Sequence, residues 1–247
     1  MGLAVRIIPT ILCRGREQVK GERFNAWRSV GLVEQSVRIH QARGVDELVL
    51  LDIGATPEGR GPDLALVEKL TEGCFMPLAV GGGVRTVQHV KDLLRAGADK
   101  VVIGTGLFEP TLLKEIVETV GSQAVVVAID YKANETYVEC GRRACRWSPR
   151  QAAIRASQHG AGEILLTSMD REAFLNGYDR ATLVEVSEAV TIPVIAHGGC
   201  GTYQHMLEAV QAGASAVAAG AMFQFTDATP RGAAEYLRAN GVETRVP

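Results

Sequence analysis

The sequence lacks the long apolar runs and basic segments that mark membrane or nucleic-acid-binding proteins. No run of about 18 uninterrupted apolar residues occurs, and the N-terminus has no signal-peptide pattern. The formal net charge is -2, the pI is about 6.2, and no Lys/Arg run is long enough to bind a polyanion. We therefore expect a soluble, cytoplasmic protein without membrane or nucleic-acid partners. Small anions remain possible ligands, because backbone amides can bind them.

Cysteine is also scarce, and its spacing suggests neither a disulfide framework nor a metal site. The 5 cysteines are an odd number at irregular spacing, as expected of reduced thiols. Cys140 and Cys145 are separated by four residues rather than the two usual in metal sites, and no histidine lies nearby. No dinucleotide-binding signature precedes a helical pattern. We expect no metal and no cofactor.

What the sequence does contain is an internal repeat. The segment VGGGVRTVQHVKDLLRAGADKVVIGT from Val80 is matched by AHGGCGTYQHMLEAVQAGASAVAAGA from Ala196, at a constant offset of 116 positions. Identical pairs include Gly82 with Gly198, Gly83 with Gly199, Thr86 with Thr202, His89 with His205, Gly97 with Gly213 and Gly104 with Gly220. The chain therefore resembles two fused copies of one unit.

The alternation of short apolar runs with amphipathic stretches predicts βα units whose strands are buried on both faces. Eight strands are predicted, at 5–12, 47–52, 76–80, 100–104, 124–130, 163–168, 193–196 and 214–219. Four units fall in each copy and no linker separates the copies. We predict the α/β class and a single (β/α)8 TIM barrel with a twofold internal repeat. One domain would cover residues 1–247, with half-barrels at about 1–120 and 121–247.

Two predicted connections are longer than usual. Residues 13–31 follow strand 1, and their Gly, Arg, Lys and Asn content suggests a mobile loop over the barrel mouth. After strand 5, residues 135–140 and 144–147 indicate a small hairpin. Both insertions follow the C-terminal ends of strands, where barrel enzymes have their active sites.

Glycine clusters at the predicted strand ends indicate phosphate binding. The first cluster follows strands 3 and 4 and the second follows strands 7 and 8, and their members are Gly82, Gly83, Gly104 and Thr105, then Gly198, Gly199, Gly220 and Ala221. Any single glycine is better explained by a tight turn. Matched clusters instead predict two anion sites on opposite sides of the mouth, which a ligand with two phosphates would span.

Carboxylates at the same strand ends are candidates for proton transfer. Asp130 ends the apolar run VVVAID, where burial could tune its pKa; the alternative is a loop cap or a partner for Lys132. For Asp52, which ends strand 2, the catalytic and structural interpretations are equally open. Asp170 and Glu172 follow strand 6.

Histidine and cysteine supply further candidates at the mouth. His197 lies between strand 7 and the second glycine cluster, and could act as an acid, a base or a phosphate donor. The other four histidines fall in helical stretches, which favours packing or surface roles. Cys13 and Cys200 lie where strands 1 and 7 end, but the sequence gives no sign of reactive thiols.

Charged residues also cluster at the opposite end of the barrel. Arg6, Glu47, Lys100 and Glu163 stand at or near the starts of strands 1, 2, 4 and 6. Four charges buried at the base of a core cost several kcal/mol unless they pair well. A charged ring across the floor therefore suggests a gate for a passage through the barrel.

Several segments closely resemble the cyclase subunit of imidazole glycerol phosphate synthase over nearly the whole chain. They are RIIP, DELVLLDI, PLAVGGGVR, LLRAGADKV, GSQAVVVAID, GAGEILLTSMDR and IPVIAHGG. The resemblance implies that a glutaminase subunit docks on the N-terminal face and releases ammonia into the barrel. At the mouth, ammonia would attack a bis-phosphorylated ribulosyl formimino aminoimidazole carboxamide ribotide. The products would be imidazole glycerol phosphate and AICAR.

The resemblance also assigns roles to individual residues. It implies an ammonia gate at Arg6, Glu47, Lys100 and Glu163, a partner interface at Asp99, a loop lysine at Lys20, a catalytic aspartate at Asp130, and an active-site lining at Asp52 and Thr167.

The departures from the family lie at the mouth. The family's second essential aspartate, at the end of strand 1, aligns with Leu12, which cannot transfer a proton. The resemblance therefore implies a poor cyclase unless Cys13, Glu172 or His197 substitutes. Other family residues are replaced by Gly104, Glu172, His197 and Ala221.

Three functions fit this pattern. The first is an ammonia-using synthase subunit of the imidazole glycerol phosphate synthase type. The second is a diverged paralogue that delivers ammonia to a different acceptor, such as the precursor of an amidino group on a surface sugar. The third is a catalytically silent barrel that binds and regulates a glutaminase. The sequence leaves open the acceptor, the partner's identity and the oligomeric state.

Overall fold

Twelve β-strands form one sheet in the computed structural model, which describes residues 4–109 and 111–245. The strands are β1 (Arg6–Arg14), β2 (Glu17–Glu22), β3 (Asn25–Leu32), β4 (Leu48–Asp52), β5 (Leu78–Gly81), β6 (Lys100–Ile103), β7 (Val125–Lys132), β8 (Glu135–Val138), β9 (Arg143–Ala144), β10 (Glu163–Ser168), β11 (Val194–His197) and β12 (Ala216–Ala219).

Eight of these strands close into a parallel barrel. The order around it is β1, β4, β5, β6, β7, β10, β11 and β12, and β12 pairs in parallel with β1 to complete the circle. The predicted TIM barrel is confirmed. Every predicted barrel strand matches an observed one to within a few residues, because Val, Ile and Leu runs buried on both faces suit parallel strands.

Helices follow the barrel strands and cover the outside of the barrel. They are α1 (Val33–Ala42), α2 (Leu64–Thr71), α3 (Val87–Arg95), α4 (Leu112–Val120), α5 (Pro149–Gln158), α6 (Arg180–Ser187), α7 (Tyr203–Gln211), α8 (Ala221–Phe225) and α9 (Pro230–Ala239). No helix in the described ranges is both long and apolar enough to cross a bilayer.

The internal repeat is visible in how two of these helices begin. Thr86 caps α3 by accepting a hydrogen bond from the backbone N–H of His89, and Thr202 caps α7 by accepting one from His205. A capped first turn satisfies a helix N–H that would otherwise lack a partner. The matched Thr and His residues of the two repeats therefore have the same role at the start of a helix, and their identity is explained without a catalytic role.

The segment predicted as a mobile loop over residues 13–31 is instead a β-hairpin. β1 continues past the barrel to Arg14 and pairs antiparallel with β2, which pairs with β3. Four consecutive residues of β2, Gln18, Val19, Lys20 and Gly21, are buried. The strand pairing and burial of this segment were not apparent from its composition. The predicted hairpin after strand 5 is present as β8 and β9.

The core has two layers. A large apolar layer lies between the strands and the helices. A smaller cluster fills the barrel interior, and its members are Ile8, Val49, Ala79, Val102, Val126, Leu165, Ile195, Ala216 and Ala218. Alternate residues of each strand face the interior, so charged side chains one step below this cluster form the floor and polar side chains above it form the mouth.

Candidate active site

A cavity of about 710 Å³ opens at the C-terminal ends of the barrel strands. Leu12, Asp52, Asp130, Thr167 and His197 line it from five different barrel strands, and residues of both hairpins line its rim. Cavities of this size bury small-molecule ligands. The position at the C-terminal face is the one where TIM barrels have their active sites.

The first glycine cluster lines this cavity. Gly82, Gly83, Gly104 and Thr105 all contribute to the wall. Gly82 has φ +118, and a Cβ there would collide with the backbone of Asp52, so its glycine is required by the fold itself. Gly104 has no atom within 4 Å of a built Cβ. The open space above it is therefore available to a ligand.

The β8–β9 hairpin covers the first cluster. The Thr105 hydroxyl accepts a hydrogen bond of 3.0 Å from the backbone N–H of Glu139. Arg142 on the hairpin and Arg85 after β5 also line the cavity. These two cations lie near the predicted anion site and were not identified from the sequence. The signal that could have identified Arg85 is its position directly after the glycine turn.

The second glycine cluster is built differently. Gly198, Gly199, Gly220 and Ala221 do not line the large cavity. A Cβ on Gly220 would collide with Nζ of Lys20, which reaches across from β2. Lys20 is only 3 % exposed, and its ammonium lies 3.6 Å from the Glu172 carboxylate. A buried lysine, rather than open backbone, therefore occupies the space beside this cluster.

Ionisable side chains lie together at the centre of the mouth, with Glu172 and His197 buried and Asp130 half-buried. Burial raises the pKa of Asp130 to about 7, with the nearby Thr167 hydroxyl opposing the rise and Glu172 adding to it. Burial lowers the pKa of His197, against the influence of Glu172. The pKa of Glu172 falls below its ordinary value because Lys20 and His197 outweigh the effect of burial. Perturbed groups gathered in a cleft are typical of active sites.

Asp52 is held by its own loop. Its two carboxylate oxygens accept hydrogen bonds of 2.6 and 3.0 Å from Arg60, and Oδ1 also accepts from the backbone N–H groups of Gly54 and Ala55. The carboxylate lines the cavity but is engaged on both oxygens. This geometry favours a structural role in shaping the cavity wall over proton transfer.

Neither candidate cysteine faces the cavity. Cys13 and Cys200 are buried in the layer between strands and helices, and burial raises the pKa of both thiols, to about 12 in Cys200. Strand alternation explains the position of Cys13, because Leu12 faces the mouth and the next residue must face outward. The geometry gives no support to Cys13 as an acid or base.

The floor of the barrel carries the predicted ring of charges. Arg6 contacts Glu47 at 2.6 Å and Glu163 at 3.1 Å, and Lys100 contacts the same two carboxylates at 2.9 and 3.2 Å. Burial disfavours the charge of Arg6, but the two glutamates more than offset it and raise its pKa. Each charge thus has two partners of opposite sign, and the ring closes the barrel below the apolar cluster.

The surface around the floor presents two further features. Asp99 is exposed, and its carboxylate accepts a hydrogen bond of 2.8 Å from the backbone N–H of Leu78. Phe75, in the connection from α2 to β5, is 89 % exposed. Sequence reasoning missed Phe75, because an isolated phenylalanine before a strand gives no sign of its exposure.

Comparison with known proteins identifies the family. A profile of the family described as "Histidine biosynthesis protein" matches residues 6–229. A curated relative named imidazole glycerol phosphate synthase subunit HisF, from Chlorobium phaeobacteroides (strain BS1), is 42% identical over 99% of this chain and 100% of its own length. The chain belongs to the HisF family.

Two further HisF relatives support this assignment. The protein from Hyphomonas neptunium (strain ATCC 15444) is 44% identical over 98% of this chain and 99% of its own length. The protein from Anoxybacillus flavithermus (strain DSM 21510 / WK1) is 41% identical over 97% of this chain and 98% of its own. The resemblance recognised in the sequence is therefore confirmed at the level of the family.

This HisF-family barrel brings most of the predicted site residues together, but not all. The first glycine cluster, Asp52, Asp130, Thr167 and His197 share one cavity. Lys20 and Glu172 lie beside it and contact each other. Within residues 4–109 and 111–245, no group of three or more His, Cys, Asp or Glu side chains has the geometry of a metal site.

Proposed function

We propose that this chain is the cyclase subunit of an imidazole glycerol phosphate synthase. Ammonia released by a HisH-like glutaminase enters through the charged ring at the floor and crosses the barrel interior. At the mouth it reacts with the bis-phosphorylated ribulosyl formimino substrate. The products are imidazole glycerol phosphate and AICAR.

The observation that carries this proposal is the alignment of three layers along the barrel axis. The ring of Arg6, Glu47, Lys100 and Glu163 lies at one end. The interior above it is mainly apolar, with Val, Leu, Ile and Ala side chains and the buried hydroxyl of Thr10. The cavity with Asp130 lies at the other end. An apolar interior admits neutral ammonia but not ammonium, since burying an unpaired charge is costly, so the nitrogen would arrive as a nucleophile.

The glutaminase is proposed to dock on the floor side of the barrel. The exposed ring of Phe75 supplies the kind of aromatic anchor that is enriched in interface hot spots. Asp99 lies at the same end, just before Lys100 of the ring. A partner that covered both would place its ammonia outlet against the ring.

The substrate is proposed to lie across the mouth with its phosphates apart. One phosphate binds at the first glycine cluster, next to Gly104, Thr105 and the cations Arg85 and Arg142. The other binds on the Lys20 side of the mouth, where the ammonium that lies beside Gly220 supplies a positive charge. The second glycine cluster does not line the large cavity. Lys20, rather than the backbone of this cluster, would therefore bind the second phosphate.

Asp130 is proposed as the central acid/base residue. Its pKa of about 7 means that it holds or releases a proton near neutral pH, which is the range in which general acid/base catalysis is efficient. Asp52 shapes the wall and Thr167 neighbours Asp130. Leu12 leaves the strand β1 side of the mouth without an ionisable group.

The test is turnover of the ribulosyl formimino substrate in excess ammonium, which requires no partner. We expect AICAR release by the unmodified protein and a loss of about 100-fold or more in kcat/KM for Asp130→Asn. Asp227→Asn, an exposed aspartate outside the cavity, is the matched control. Absence of turnover by a folded, phosphate-binding protein would contradict the proposal and point to a different ammonia acceptor.

A further inference from the structure

Three polar side chains stand side by side on adjacent strands at the mouth. In the strand register, Thr167 of β10 pairs with Asp130 of β7 on one side and with His197 of β11 on the other. All three line the cavity. Adjacent strands are about 4.8 Å apart, so Asp130 and His197 are separated by about two strand spacings with the Thr167 hydroxyl between them.

The hydroxyl joins the two ionisable groups. Thr167 Oγ1 lies 3.2 Å from His197 Nδ1, and Thr167 is the register neighbour of Asp130, whose ionised form its hydroxyl favours. An ionised carboxylate only accepts hydrogen bonds. If Thr167 donates to that carboxylate, its oxygen accepts from Nδ1–H of His197. This arrangement fixes the tautomer of His197 and leaves the lone pair on Nε2.

The other nitrogen of His197 is free. Nε2 is buried and has no hydrogen-bond partner among residues 4–109 and 111–245. The side chain is only 5 % exposed, yet it lines the cavity. A buried polar atom without a partner is costly in a folded protein. A ligand in the cavity would supply the partner that Nε2 lacks.

We propose that Asp130, Thr167 and His197 form a proton relay in which His197 Nε2 exchanges protons with the substrate. The proposal rests on the cyclase function proposed above. When Nε2 takes a proton from the substrate, Nδ1 gives its proton to the Thr167 oxygen, and the Thr167 hydroxyl proton passes to the Asp130 carboxylate. The imidazole ends neutral and Asp130 ends protonated. The reverse sequence returns a proton to the substrate.

The charges around His197 are consistent with this role. Glu172, in the connection after β10, favours the protonated ring, whereas burial and Lys20 from β2 oppose it. Because burial and Lys20 prevail, the ring is neutral near pH 7 and can accept a proton. Leu12 of β1 contributes no ionisable group. The relay therefore gives the mouth a second proton-transfer position beside Asp130.

The first test follows the tautomer of His197 by 15N NMR, assigned with a His197→Gln variant. We expect a proton on Nδ1 and none on Nε2 in the unmodified protein at pH 8. Thr167→Val removes the hydroxyl at similar shape and should shift the ring toward the Nε2–H tautomer, whereas Thr167→Ser should preserve the original signal. An unchanged tautomer in Thr167→Val would overturn the relay.

The second test is kinetic. We expect His197→Asn to lower kcat/KM with excess ammonium by about 100-fold and Thr167→Val by about 10-fold, with recovery in Thr167→Ser. His159→Asn, at the end of α5, is the control and should match the unmodified protein. Retention of kcat/KM within threefold in a folded His197→Asn variant would overturn the proposal.

The two tests also separate this proposal from the one on which it rests. If the unmodified protein does not release AICAR, the proposed cyclase function fails, whatever the NMR result. The relay as a structural unit is then decided by the Thr167→Val and Thr167→Ser spectra alone. If the unmodified protein releases AICAR and the His197→Asn variant retains its kcat/KM, the cyclase function stands and the relay fails.

Discussion

At the floor of the barrel, Arg6, Glu47, Lys100 and Glu163 contact one another in a closed ring. At the mouth, by contrast, His197 Nε2 is buried without a hydrogen-bond partner within the described ranges. Mutual pairing stabilises charges that are removed from water. Groups left unpaired in a cavity are available to a ligand. The same fold therefore pairs its charges at one end and leaves a buried polar group without a partner at the other.

The largest effect is expected from breaking the ring at the floor. Glu47→Ala leaves Arg6 and Lys100 without their most buried shared partner, whose side chain is only 3% exposed. We expect the free energy of unfolding to fall by about 3–5 kcal/mol, because an uncompensated buried charge remains. Urea denaturation measures this change.

The control for the ring is an ion pair on the surface. Asp92→Ala removes the contact with the largely exposed Arg95 and should change the free energy of unfolding by less than about 1 kcal/mol. If Glu47→Ala cost no more than this control, the ring would not be the tightly coupled unit described here.

The next prediction concerns Asp130 at the mouth, where a substitution is expected to raise the free energy of unfolding. The folded protein keeps the Asp130 proton up to about pH 7, whereas the ordinary pKa is 3.8. The raised pKa therefore reduces stability progressively as pH rises from about 4 to 7. We expect Asp130→Asn to raise the free energy of unfolding by up to roughly 4 kcal/mol at pH 8, and by less than about 1 kcal/mol at pH 4.

Thermal unfolding at the two pH values measures the Asp130 effect. Asp227→Asn, whose side chain is exposed, should show no such pH-dependent gain. A destabilised Asp130→Asn at pH 8 would mean that the carboxylate is well satisfied in the fold. The contrast between floor and mouth would then be lost.

A smaller effect on stability is expected at the first anion site. A Cβ on Gly104 meets nothing within 4 Å, so Gly104→Ala should change the free energy of unfolding by about 0.5 kcal/mol or less. The added methyl group projects into the proposed phosphate position. Affinity for inorganic phosphate, followed by 31P NMR, should fall about 10-fold, a loss of 1.4 kcal/mol.

Gly73→Ala is the matched control for Gly104→Ala. Gly73 is equally unobstructed but lies between α2 and β5, at the floor end. Its phosphate affinity should equal that of the unmodified protein. Equal affinity in both variants would remove the first glycine cluster from the proposed phosphate site.

The smallest effect on stability is expected at the exposed Phe75. Its ring is 89 % exposed, so Phe75→Ser should alter the free energy of unfolding by about 0.5 kcal/mol or less. Calorimetric affinity for a HisH-type glutaminase should nevertheless fall at least about 10-fold, as at an aromatic hot spot. The control is Phe225→Ser, because Phe225 is also exposed but lies at the end of α8, after β12. Equal affinities would place the partner elsewhere.

The sequence was sufficient to predict the barrel, the ring and the mouth. Strand periodicity located the eight barrel strands, and charged residues at strand starts located Arg6, Glu47, Lys100 and Glu163. The apolar run VVVAID correctly placed Asp130 in the cavity wall. Each of these features depends on the residue pattern within a single strand, so it can be predicted from local sequence.

Contacts between distant segments were not predictable in the same way. The burial of Lys20 against Gly220 and Glu172 depends on the β1–β2–β3 hairpin folding over the mouth. The engagement of Asp52 by Arg60 depends on the shape of one loop. The outward position of Cys13, however, could have been predicted from alternation along β1, since its neighbour Leu12 faces the cavity.

The most direct test of this contrast is the pKa of Asp130, measured from the 13C chemical shift of its carboxyl group during a pH titration of the intact protein. The account predicts a midpoint of about 7, because burial beside Glu172 disfavours the ionised form. A midpoint near the ordinary value of 3.8 would contradict it. Asp130 would then be a well-solvated or well-paired carboxylate, and the mouth would hold no acid poised for proton transfer near neutral pH.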